Sequence, residues 1–91
     1  MENESILAIL KIDLQVSSDK LDTYLEELIK ASRDFIEKEG INLTDSSGDN
    51  QLVEMYAAYL YRRRREENAQ MPRALRWALN NRLFAQKAGG S

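Results

Sequence analysis

The sequence predicts an all-α protein, a small bundle of about four helices. Three observations carry this. Leu21, Tyr24, Leu25, Leu28, Ile29, Ser32, Phe35 and Ile36 recur at steps of three and four, the spacing of one buried helical stripe. Gln51–Arg65, QLVEMYAAYLYRRRR, is apolar on almost every face before it turns basic. A helix of that kind must be enclosed by others, so the remaining segments read as its wrapping. Finally, Pro72 opens a third periodic run with Leu75, Ala78, Leu79 and Leu83 on one side.

The chain has 91 residues, which suits one domain over 1–91. A domain of this size buries only about 60% of its unfolded surface, so association would add to a modest core. With 43% apolar residues, intrinsic disorder is not expected. There is neither cysteine nor histidine. That removes disulfides, thiolate metal sites, the thiol nucleophile and the commonest general base. No apolar run approaches the roughly 20 residues of a membrane span. MENESILAILK carries acid ahead of its short apolar run, the wrong sign for a secretory signal. A cytosolic setting is expected, without membrane contact.

The first element is a short helix over Glu2–Lys11, with Ile6, Leu7, Ile9 and Leu10 as its apolar side. Leu10, Ile12, Leu14 and Val16 then alternate with polar residues, a strand-like period of two. A lone strand is not stable, so an extended linker is expected there. Ser18 is the expected N-cap of the long amphipathic helix, with Asp19 and Asp22 in its first turn. Lys38 and Gly40 mark its end. Ile41–Asn50 is rich in turn formers, and Asp49 is the expected cap of the central helix. A calcium loop is excluded by spacing: counted from Asp45, Gly48 falls at position four and Glu54 at ten, rather than six and twelve.

After the polar stretch 66–70, Pro72 suits the first turn of the last helix. Trp77 and Phe84 lie beside its core stripe, and Arg73, Arg76 and Arg82 are expected away from it. Residues 88–91 read as a frayed, flexible tail.

Net charge is −2, but unevenly spread. Residues 1–50 hold five Lys/Arg against twelve Asp/Glu; residues 51–91 hold eight against three. The halves can neutralise one another within the chain, attract other copies head to tail, or offer a basic surface to nucleic acid. Arg62, Arg63, Arg64 and Arg65 are candidate DNA contacts. At 100° per residue they wrap round the helix and cannot all address one groove. Cations at a helix C-terminus also stabilise it without any ligand, and a pI of 5.1 argues against an autonomous DNA binder. Tyr59, Tyr61, Arg73, Arg76 and Trp77 are candidate interface residues, being of the types that anchor hot spots. For Trp77 two readings stay open: the indole closes the core, or it meets another subunit. No catalytic constellation, glycine-rich phosphate loop or cofactor motif is present, and an enzyme is not expected.

The strings DNQLVEMYAAYLYRRR and MPRALRWALNNRLFAQK, separated by a short polar loop, resemble the small head–tail connector proteins of tailed bacteriophages and prophages. These are also called head-completion or adaptor proteins. The short first helix, the Ser-Asp-initiated long helix and the ending IEKEGINL also fit. The resemblance implies a helical structural protein whose copies join side by side as a homo-oligomeric ring. Such a ring docks beneath the portal protein, meets a tail-side connector protein and extends the DNA channel. Its place would be the head–tail junction of the virion, and the bacterial host cytoplasm during assembly. The rival is a small helical nucleic-acid-binding regulator using the Arg62–Arg65 run.

Overall fold

Small and apolar residues along one segment decide the architecture. Val53, Ala57 and Ala58 are fully or almost fully buried, with Leu52 and Tyr56 beside them, in a helix that the other three surround. A computed structural model describes residues 2–90, with backbone alone for Glu2, Asn3 and Gly90. It is all-helical: α1 Glu2–Leu14, α2 Asp22–Lys38, α3 Ser47–Arg65 and α4 Arg73–Gly90, with a 3-10 turn at Asp19–Leu21. No strand occurs among the described residues. The expected small four-helix bundle is therefore the fold. α1 packs on α2 and α3, α2 on α3, and α4 chiefly on α3.

α1 runs one turn further than its expected end at Lys11. The alternating pattern does not become extended backbone, because Leu10 and Leu14 fall four apart and continue the inward stripe begun by Ile6. The helix then stops by a Schellman arrangement. The Val16 N–H donates to the Lys11 carbonyl (2.9 Å) and the Gln15 N–H to that of Ile12 (3.1 Å). This sets Gln15 at φ 59°, a left-handed position usually held by glycine. Ile9 was expected to face inward, but it points to solvent, as does Ile12.

Ser18 does act as a cap, but for the 3-10 turn: its hydroxyl accepts from the Lys20 N–H (3.1 Å), and α2 begins only at Asp22. Leu25, Ile29, Ser32 and Ile36 are its buried face. The buried Ser32 hydroxyl is satisfied by donating to the Leu28 carbonyl (2.7 Å). Phe35, assigned to the same stripe, sits at its edge, partly exposed and stacked on Tyr56 (centroids 5.8 Å apart, planes at 12°). Gly40 follows the helix at φ 101°, with its N–H on the Glu37 carbonyl (3.0 Å).

α3 starts four residues earlier than its apolar run. Its cap is Ser46, not Asp49: the Ser46 hydroxyl accepts the Asp49 N–H (3.1 Å). This frees the Asp49 carboxylate for a tertiary role. α4 begins after Pro72, whose carbonyl accepts the Leu75 and Arg76 N–H groups (both 3.1 Å). Leu75 and Leu79 are its buried anchors. The helix continues through Ala88 and Gly89 to Gly90, where a frayed tail was expected; Ser91 lies outside the described residues.

Arg82 was placed away from the core stripe, and the structure turns it inward. It lies three residues after Leu79 and four after Ala78, so helical spacing keeps it on the packed side. Its Nε donates to Asp49 Oδ1 (2.6 Å), and Nη2 donates to Asp49 Oδ2 (3.1 Å) and the Asn42 carbonyl (2.8 Å). Thr44 adds its N–H (2.8 Å) and hydroxyl (2.9 Å) to the same carboxylate. Burial alone would raise the Asp49 pKa, but the donors from Arg82 and Thr44 outweigh it and hold the carboxyl below its ordinary value. One turn on, Gln86 donates to the Gly40 carbonyl (2.8 Å) and accepts the Asn42 N–H (2.7 Å). The α2–α3 loop is thereby stapled to α4.

Candidate assembly surface

The outer face of α4 is built from Trp77, Asn80, Asn81 and Phe84, residues at three- and four-step spacing opposite Leu75 and Leu79. Trp77 is 70% exposed and Phe84 74%. The indole therefore does not close the core, and the first of the two readings of Trp77 is excluded. Trp77 and Phe84 stand two turns apart, about 10 Å along the axis. Arg73 is exposed one turn before Trp77, and the two line a shallow groove with Met71, Arg76 and Asn80. α4 contains no acidic residue, so the charges it brings to this face itself are cationic.

Arg76 was expected at an interface between subunits. Instead it makes a two-pronged pair with Glu39 of its own chain, at 2.9 and 3.0 Å. Tyr59 and Tyr61 are half-buried. Tyr59 meets Tyr56 edge-on at 5.9 Å, and Tyr61 tilts against Tyr24 at 6.4 Å. Both belong mainly to the bundle's own packing.

Arg62, Arg63, Arg64 and Arg65 are all exposed at the C-terminal end of α3, splayed round the axis as their spacing requires. Arg62 is 3.8 Å from Asp13 on α1. Arg64 lies over the Tyr24 ring (5.7 Å) and Arg65 over that of Tyr61 (5.6 Å), where it also donates to the hydroxyl (2.9 Å). Arg63 borders a groove with Phe35 and Leu60. The structure brings the four together as a basic tip, not as one flat stripe.

A second outward stripe, missed in the sequence, belongs to α1. Ile9 is 56% exposed and Ile12 77%, with Ala8 exposed beside them and Glu4 and Asp13 at their flanks. Isoleucines at i and i+3 were read as core and strand; what could have marked them as outward is that Ile6, Leu10 and Leu14 already fill the inner face. Between α1 and α3 lies a groove of about 460 Å³ lined by Ile6, Ile9, Asn50, Gln51 and Glu54 among others. Glu54 is only 7% exposed. Burial, then the neighbouring Asp13 carboxyl, push its pKa up to about 7, against a smaller opposing pull from Arg62. Asn50 Oδ1 and Glu54 Oε2 are buried without a hydrogen-bond partner.

Among the described residues no group of three or more acidic, histidine or cysteine side chains is arranged to hold a metal ion. No helix is long and apolar enough to cross a membrane. Compared with known protein families, characterised proteins and solved structures, the chain matches none.

Proposed function

We propose that this chain is a structural subunit of the phage head–tail connector type, assembling side by side with copies of itself into a ring beneath a portal protein. The observation that carries the reading is the outer face of α4, where Trp77 and Phe84 stand in solvent on a cationic helix. Large exposed aromatics at helical spacing on so small a protein mark an interaction surface. The acidic, apolar stripe of α1 supplies a complementary surface elsewhere on the same chain, and two unlike surfaces give a heterologous contact, the kind from which a ring is built when the rotation between copies closes. Arg62, Arg63, Arg64 and Arg65 form the tip proposed to meet DNA in the channel, where phosphate attraction needs charge but no sequence reading. The role is structural rather than catalytic, at the virion's head–tail junction, with assembly in the host cytoplasm.

Sedimentation of the purified chain with and without the portal protein of the same genome tests this. Concentration-dependent rings, or a stable complex with the portal, are expected. A chain that stays monomeric at millimolar concentration and ignores the portal would sink the reading. Steeply salt-dependent binding to free duplex, without either assembly, would favour the regulator instead.

A further inference from the structure

The α1/α3 groove and the α4 aromatic face are complementary in two respects. The first is shape: the groove has an apolar wall from Ile6 and Ile9 and room for a bicyclic ring, and an indole is a large, rigid, mostly apolar body. The second is charge: Glu4 and Asp13 lie on the groove's helix, whereas α4 carries Arg73 and Lys87 and no acid.

Trp77 cannot reach the groove of its own chain in this fold. α4 packs against the side of α3 that bears Leu52 and Met55, while α1 and the groove border Asn50 and Glu54. At 100° per residue those sides are roughly 150° apart round the α3 axis. The matching groove available to Trp77 therefore belongs to a second copy.

We infer that Trp77 of one copy inserts into the α1/α3 groove of the next, its indole lying against the apolar wall that Ile9 presents. Each copy then presents one knob and one socket on different sides, a geometry that propagates from copy to copy. This deepens the ring reading and rests on it.

Trp77 is the chain's single tryptophan, so its emission reports its surroundings directly. On concentrating the full-length chain, sedimentation velocity should show assembly, with a blue shift of that emission over the same range. Trp77→Ala and Ile9→Lys alter exposed positions and should keep the helical circular dichroism. Each should weaken association roughly thirtyfold or more, as loss of an interface anchor does. Mixed together, the two variants should form a one-to-one pair and nothing larger, since one retains the socket and the other the knob. Variants that assemble like the parent, a mixture that fails to pair, or parent assembly without the emission shift would each overturn the knob and socket while leaving the ring reading intact. A parent chain that never assembles, alone or with portal, would overturn both.

Discussion

α1 and α4 both lie against α3, yet they are held by different forces. α1 is gripped by two helices through Ile6, Leu10 and Leu14, and Lys11 ties it to Asp22 (2.7 Å) and Asp19 (3.0 Å). Where it meets α3, the Asp13 carboxyl faces both Arg62 (3.8 Å) and the carboxyl of Glu54, which become like charges only once Glu54 ionises. α4 rests chiefly on α3 through Leu75 and Leu79, and a polar staple supplies the rest: Arg82 and Gln86 on Asp49, Asn42 and Gly40. Apolar burial is non-directional and shared among many atoms. A charged staple depends on a few directed bonds and on protonation. The difference teaches that the two ends of the same bundle should loosen under opposite conditions.

The largest effect is expected at the staple. Arg82→Met keeps most of the side chain's stem but leaves the Asp49 carboxylate, 5% exposed, without its cation. A loss of about 2–3 kcal/mol in denaturant unfolding should follow. Native-state hydrogen exchange should show α4 losing protection ahead of α1. Equal loss along both helices would break the comparison.

Next comes pH. Glu54 has a raised folded pKa, so its unfolded form releases a proton first. Stability at the α1/α3 seam is fully present below about pH 4.5 and is lost as pH rises toward about 7. The change should be on the order of 3 kcal/mol, and Glu54→Gln should flatten it. Asp49 has a lowered folded pKa, so the staple's contribution is present above the ordinary carboxylate range and is lost as pH falls through the folded value. Unfolding curves of the parent, Glu54→Gln and Arg82→Met across pH 2–8 would separate the two slopes.

The smallest effect concerns how α1 ends. Gln15 occupies a left-handed position that glycine enters without steric penalty, so Gln15→Gly should stabilise the chain by about 0.5–1 kcal/mol. Thermal unfolding should then rise by a few degrees. A fall would mean that the Gln15 side chain contributes more than its backbone strain costs.

Much of the fold was legible because helical periodicity is local. The 21–36 stripe, the enclosed 51–61 segment, the Gly40 stop and the Pro72 start each follow from residues a few positions apart. Boundaries were less legible where two local signals competed. Leu10–Val16 satisfied both a two-step and a four-step pattern, and burial of Leu10 and Leu14 against α3 and α2 decided for the helix. Asp49 was the expected cap of α3, but Ser46 holds that place and Asp49 is drawn to Arg82, 33 residues away in sequence.

What the sequence determined by itself is therefore the set of helices and the central place of α3, since apolarity and spacing are properties of the chain alone. Which way residues at the edge of a stripe face was decided only by tertiary structure. Arg82 turned inward and Trp77 outward, reversing what their polarity suggests, because Asp49 waited on one side of α4 and no helix of this chain covers the other.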